Sequence, residues 1–302
     1  MKIAVTGATG FVGSTLLDAA TDARLTVRAL TRRPQPERER VEWVDGDLED
    51  RSALSSLVRD AECVLHIAGV VSAPDASGFE AGNVRGTMNL LDAARAVSVP
   101  RFVFVSSLAA REPELSQYGA SKARAEKLVQ ASALDWTIVR PPWVYGPGDR
   151  DTLEMFKAAR WGVLPVPGEG RASIIHARDL ARLLLALVRG GEQVTGKVFE
   201  PDDGTASGWS HHGIAHAIGQ AVGKRPRVIG LSRKAMARAA RIDTFVRRGK
   251  ARLTPDRAAY FGHPDWVVSR AARPPAERWQ PSIETRDGLR STAEWYREQG
   301  WL

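Results

Sequence analysis

Tyr118 and Lys122 stand four residues apart in the run Ser116-Gln117-Tyr118-Gly119-Ala120-Ser121-Lys122-Ala123-Arg124-Ala125-Glu126. On a helix that spacing puts both side chains on one face, so an ammonium can reach the surroundings of a phenol. The pair suits proton transfer. A free tyrosine has a pKa near ~10, and bringing it to about 7 takes roughly 4 kcal/mol of preference for the phenolate, which a neighbouring cation can supply. Just ahead, residues 101–107 (Arg-Phe-Val-Phe-Val-Ser-Ser) read as a strand that delivers Ser106 and Ser107 to its carboxyl end, where open parallel sheets bind ligands. A Tyr-x-x-x-Lys pair by itself also describes an ordinary surface contact, so the surrounding elements decide what it does.

The element that must position such chemistry opens the chain. Residues 2–6 (Lys-Ile-Ala-Val-Thr) are a short apolar run, followed by Gly7-Ala8-Thr9-Gly10-Phe11-Val12-Gly13 and then by residues that read as a helix. In the order strand, glycine turn, helix, the first helical amides lack an intrahelical acceptor and the positive end of the helix dipole faces the turn, so a pyrophosphate fits there. Gly7 and Gly10 permit the sharp turn, and Gly13 permits close packing of helix on strand. Further strands are expected at residues 25–31, ending in Arg32-Arg33; at 41–45, leading into Asp47-Leu48; at 62–66, ending in His66-Ile67-Ala68-Gly69; and at 134–140, followed by Pro141-Pro142-Trp143-Val144-Tyr145-Gly146-Pro147-Gly148.

Thr6-Gly7-Ala8-Thr9-Gly10-Phe11-Val12-Gly13 resembles the short-chain dehydrogenase/reductase superfamily, and its Gly-Phe-Val-Gly form resembles the extended branch of epimerases and dehydratases. Asp47-Leu48, His66-x-Ala68-Gly69, Asn83-x-x-Gly86-Thr87, Tyr118-x-x-x-Lys122, the Arg140-Pro141 segment and His176-Ala177-Arg178-Asp179 extend the likeness over nearly the whole chain. The resemblance implies an α/β fold: a doubly wound, Rossmann-type parallel sheet with a smaller, mostly helical C-terminal substrate domain. It implies catalytic roles for Ser107, Tyr118 and Lys122. The cofactor would lie on Gly7, Thr9, Gly10, Phe11, Val12 and Gly13, with Asp47 and Leu48 at the adenine. Ala68, Gly69, Tyr118, Lys122 and Pro141 would complete the cofactor site, the loop from Pro141 lining the nicotinamide. Trp143, Val144 and Arg171 are the substrate-binding candidates. Asp47 can equally cap the helix expected at 51–58, Asp179 is expected to cap a helix at 180–188, and His66 and Asn83 are expected to be structural. Where family members that bind the free 2′-hydroxyl carry an acidic residue, this chain has Thr31 followed by Arg32 and Arg33, which favours NADP, with NAD as the alternative.

A chain of 302 residues holds one large α/β domain with a smaller companion, expected here as residues 1–150 and 151–302, with 172–200 able to return to the sheet. No apolar run approaches a membrane span, and the first strand begins at Lys2, which points to a cytoplasmic protein without an integral membrane segment. The single cysteine, Cys63, excludes an internal disulfide, and no metal site is expected from His211, His212 and His216, which read as surface positions of a helix at 209–222. The net charge of +8 is concentrated: residues 224–257 hold 12 Lys and Arg against Asp243 and Asp256, a local +10, while the remainder is near neutral. In that segment Leu231, Ala235, Met236, Ala239, Ile242, Phe245 and Val246 recur at helical spacing, as for a helix packed on the core with a solvated cationic face; a lid for an anionic substrate and attachment to acidic lipid are the sharper alternatives. The expected partner is a small-molecule substrate, with no nucleic acid, and a homodimer is left open. Three functions compete: hydride transfer between nicotinamide C4 and a secondary alcohol or ketone, nucleotide-sugar epimerisation or dehydration with retained cofactor, and non-catalytic NADP binding. Retention of both Tyr118 and Lys122 speaks against the last. The loop of ten residues between Ser107 and Tyr118 is shorter than is usual in sugar-nucleotide epimerases and favours the first.

Overall fold

A computed structural model of the chain describes residues 1–247 and 253–302. Arg248, Lys250 and Arg252, counted above in the basic segment, lie outside the described residues. The chain forms two units, one comprising 1–141, 178–201 and 272–280, the other 142–177, 202–271 and 281–302. The first unit therefore takes back chain from beyond residue 150: the strand Lys197–Phe199 joins its sheet.

In the first unit the elements alternate: β1 (Lys2–Thr6), α1 (Phe11–Asp22), β2 (Thr26–Thr31), β3 (Val41–Asp45), α2 (Arg51–Val58), β4 (Cys63–His66), α3 (Ala76–Phe79), α4 (Gly86–Ala96), β5 (Phe102–Val105), α5 (Gln117–Gln130) and β6 (Trp136–Val139). The sheet runs Lys197–Phe199, β6, β5, β4, β1, β2, β3, and every pairing is parallel. Strands covered on both faces should read as continuous apolar runs, and β4 and β5 are buried at every position, whereas β3, at the edge, is half-exposed. Leu54 and Leu57 of α2, Leu90 of α4, Val129 of α5, and Phe102, Phe104 and Ile138 of the sheet share one core. The order of strands reverses between β1 and β4, and in such sheets the crevice at that switch point takes the ligand.

The second unit has its own core, built from Tyr145, Phe156, Leu164, Ile174, Ile214, Ile218, Leu289 and Tyr296. Its strands are short, two to five residues, and its longer elements are the helices Arg150–Trp161, His211–Ala221, Arg233–Arg247 and Thr285–Glu298.

Three local expectations are corrected. The cap of α2 is Asp50, whose carboxylate accepts from Ser52 N at 2.9 Å and Ala53 N at 3.0 Å; Asp47 instead closes the preceding turn through Glu49 N at 2.8 Å. Asp179 sits inside the first turn of a helix that starts at Ala177, paired with Arg182 at 2.6 Å, and so does not stand at the position preceding it. His211 is buried with Nδ1 at 3.1 Å from the Glu169 carbonyl, while His212 and His216 are exposed.

Candidate active site

The turn after β1 is shaped for a ligand close to its backbone. Gly7 has φ +76°, a left-handed conformation that favours glycine, and a Cβ there would stand 2.6 Å from Ala68 N. A Cβ on Gly13 would stand 2.0 Å from Gly7 O, so the helix can seat this close only on glycine. Gly10 is different: its missing Cβ would meet only Gly7 O, at 3.3 Å, and it is exposed together with Thr9. Asp50, Ser116, Asp149, Ser210 and Glu284 cap their helices with side chains, but Gly10 gives α1 no side-chain cap, and Ser14 N is the first amide to bond back to Gly10 O, at 2.8 Å. The amides of Phe11, Val12 and Gly13 are thus left for an outside acceptor. These residues fit a dinucleotide pyrophosphate. Arg32 and Arg33 follow β2 at exposed positions, and among the described residues neither forms an ion pair. The Leu48 side chain fills the space a Cβ would take on Gly86.

Beside the turn, the carboxyl end of β4 is fixed by buried polar side chains. Thr87 Oγ1 donates to the Asn83 carbonyl at 2.6 Å, so it accepts from His66 Nε2, 2.9 Å away, and His66 Nδ1 accepts from Thr6 Oγ1 at 2.7 Å. Burial, and to a lesser degree the Lys122 charge, lower the imidazole to about 3, so His66 is a neutral strut. Asn83 holds the loop after Gly69 from both sides: its Oδ1 accepts from Val70 N at 2.7 Å, and its Nδ2 donates to Val70 O and Ser121 Oγ, each at 2.9 Å. It lies in a π-helical stretch, Glu80–Arg85, of the kind that often marks a functional site.

Ser107, Tyr118 and Lys122 come together at the carboxyl end of β5. The Ser116 hydroxyl caps α5 through Gly119 N at 3.0 Å and sets Tyr118 in its first turn. Tyr118 is half-buried and hydrogen-bonded with Ser107. Burial raises the phenol above its ordinary value, and the bond with Ser107 only partly offsets this. The lowering expected from Lys122 is not seen; Lys122 is itself buried, 3% exposed, and its Nζ donates to the Val105 carbonyl at 2.8 Å. Burial brings the ammonium down to about 7, opposed by Glu126. Nζ also lies 3.5 Å from where a Cβ on Gly69 would stand, so the ammonium is held beside the backbone that follows β4.

Ser106 is tied off. Its hydroxyl donates to Glu126, which is also gripped by Arg140 through Nε at 2.9 Å and Nη2 at 2.6 Å, and Arg140 extends the network to Glu200 at 3.6 Å. Glu126 shares the face of Tyr118 and Lys122, at i+8 and i+4, and that spacing was the available signal for it. Pro141, buried, accepts from Leu108 N at 2.9 Å and pins the end of β6 beside Ser107.

The substrate candidates lie in the second unit. Trp143 and Val144 are half-buried on the strand Trp143–Tyr145, with the Trp143 indole donating to Thr152 Oγ1 at 3.0 Å. Arg171 binds its own neighbourhood, the Ser207 carbonyl at 2.5 Å and that of Gly208 at 2.7 Å.

A glycine cradle at the switch point with a Ser-Tyr-Lys cluster at the next strand ends is the arrangement to set beside known proteins. The NAD dependent epimerase/dehydratase family matches residues 3–200. The chain belongs to that family. It is an enzyme of the extended short-chain dehydrogenase/reductase type and works with a nicotinamide dinucleotide. It is 39% identical over 312 residues to a ceramide reductase of Caulobacter vibrioides, covering 99% of this chain and 96% of that protein. A second relative, the 4-hydroxy-2-methyl-3-oxo-4-farnesyl-3,4-dihydroquinoline-1-oxide ketoreductase of Stigmatella aurantiaca, is 33% identical over 224 residues, 63% of this chain and 65% of that protein. The UDP-glucuronic acid 4-epimerase of Bacillus cereus, solved with UDP-glucuronic acid and NAD, has the same fold, with a TM-score of 0.74 at 19% identity over 99% of this chain and 100% of that one.

Proposed function

We propose that this enzyme reduces a ketone on a long-chain lipid of the ceramide class to a secondary alcohol, with NADPH as the reductant, in the cytoplasm. One observation carries the choice of substrate: similarity to a ceramide reductase extends along 99% of the chain, so it spans the second unit as well as the cofactor cradle. The farnesyl-bearing ketone named for the second relative is also a carbonyl on a large apolar body.

NADPH when bound supplies the hydride that adds to the carbonyl carbon. Ser107 donates a hydrogen bond to the carbonyl oxygen, and Tyr118 gives that oxygen its proton, so ketone, NADPH and one proton become alcohol and NADP. A phenol raised by burial is protonated at neutral pH, which is the form a reduction needs at its start. Lys122, whose Nζ lies beside Gly69, would hold the cofactor ribose. Arg32 and Arg33 would hold a 2′-phosphate in charge-assisted bonds. Asn83 and the Ser106–Glu126–Arg140 network keep the loop, β5 and α5 in register. The test is incubation of the purified enzyme with NADPH and a 3-oxo ceramide analogue. Loss of nicotinamide absorbance matched by alcohol formation is the expected result; no reduction of keto lipids alongside turnover of a nucleotide sugar would overturn the proposal.

A further inference from the structure

The Arg233–Arg247 helix buries only a narrow stripe. Met236 is 5% and Ala240 0% exposed, packed with Ala258, Leu231 and Leu253. The apolar residues expected to extend that stripe turn outward instead: Ile242 is 64%, Phe245 84% and Val246 69% exposed. At about 100° per residue Phe245 stands opposite Met236, with Lys234, Arg238 and Arg241 within about 40° of it and Ile242 about 60° away. Cations and large apolar side chains are therefore mixed on one outward face. The helix has a single carboxylate, Asp243, which pairs with Arg247 at 2.9 Å and accepts from Leu253 N at 2.8 Å. Among the described residues no carboxylate pairs with Lys234, Arg238 or Arg241.

The same unit repeats the combination. Trp161, 88% exposed, ends the Arg150–Trp161 helix, and two residues on Val163, 45% exposed, lies in register beside Arg227. Ile229, 40% exposed, faces Pro165 on the same ribbon, and Lys224 and Arg225 precede it.

Each candidate occupant must suit both kinds of side chain. A nucleic acid would take the cations and leave Ile242, Phe245 and Val246 in water. An apolar protein groove would take those three and strip water from Lys234, Arg238 and Arg241 without return. A bilayer interface suits both, since apolar side chains reach the acyl boundary while cations meet anionic headgroups, and an exposed tryptophan prefers that depth. We propose that the outward face of the Arg233–Arg247 helix is a docking surface for a bilayer rich in anionic lipid. This goes beyond the proposed reaction and does not depend on it.

Co-sedimentation with large unilamellar vesicles tests it, with neither cofactor nor ketone present, so that failure here is distinct from failure of the reductase proposal. The protein should pellet with vesicles containing about one third phosphatidylglycerol at low salt and stay in solution with pure phosphatidylcholine or at about 0.5 M sodium chloride. Ile242→Ser with Phe245→Ser should weaken binding about tenfold, and Lys234→Glu with Arg238→Glu and Arg241→Glu should abolish it. All five positions are exposed, and an unchanged melting temperature and NADPH affinity confirm that the variants fold. No binding to anionic vesicles, or equal binding by folded variants of either kind, would overturn the proposal. So would self-association removed by the serine pair, or binding to DNA removed by the glutamates, if either occurs in place of vesicle binding.

Discussion

Gly13→Ala perturbs the cradle at its tightest point. The added methyl would stand 2.0 Å from Gly7 O and 2.7 Å from Ala8 Cα, where ordinary contact begins at 3.4 Å. Both neighbours are backbone, so no rotamer change relieves the overlap, and α1 must retreat from the turn by more than about 1 Å, at an overpacking cost of about 1–3 kcal/mol. The same retreat carries the open amides of Phe11 and Val12 away from the pyrophosphate. Bonds to a charged group are worth about 1.5–3 kcal/mol each, so losing two lowers NADPH affinity by about 100-fold or more. Gly10→Ala is the contrasting variant: its methyl meets only Gly7 O at 3.3 Å and stands in the exposed part of the cradle, so stability should hold while NADPH binding falls. Isothermal titration calorimetry with NADPH, beside thermal unfolding, reads both effects. A folded Gly13→Ala protein binding NADPH within about threefold of the parent would refute the assignment of this turn to the pyrophosphate.

Arg32→Asp should reverse the preference for NADPH over NADH in parallel titrations; unmodified protein that binds NADH as tightly or more tightly removes the basis for NADP. Tyr118→Phe should abolish reduction while leaving NADPH affinity nearly unchanged, because the phenol acts in the transition state; turnover near the original rate would place the acid elsewhere. Lys122 has a folded-state pKa of about 7 against an ordinary 10.5, so folding releases its proton and stability rises with pH across that window and is lost as pH falls through it. Urea unfolding should show the parent gaining roughly 1.4 kcal/mol per pH unit over Lys122→Met between those limits, and parallel pH profiles would contradict a buried ammonium.

The chemistry-bearing residues were legible because their geometry is local. Tyr118 and Lys122 are one helical turn apart, and Gly7, Gly10 and Gly13 lie within a single turn and its helix. What depends on where a helix starts was less legible: Asp47 reads from the sequence as able to cap α2, but the first turn begins at Arg51, so Asp50 takes that role. Burial on the distal helix was misjudged for a related reason. The recurrence of Ile242, Phe245 and Val246 marks a helix, but periodicity does not say which arc finds a partner, and the available core around Met236, Ala240 and Ala258 is small. The raised Tyr118 phenol was equally out of reach, since its cause is burial, which the tertiary packing around α5 sets.

The measurement that bears most directly on the proposed activity is stoichiometric turnover by enzyme freed of small molecules by desalting. Net reduction requires fresh cofactor at each cycle, so added NADPH should be consumed one for one with a keto lipid, and the desalted protein should carry little cofactor. Cofactor retained through desalting, with nucleotide sugars interconverted at no net change in NADPH, would contradict it.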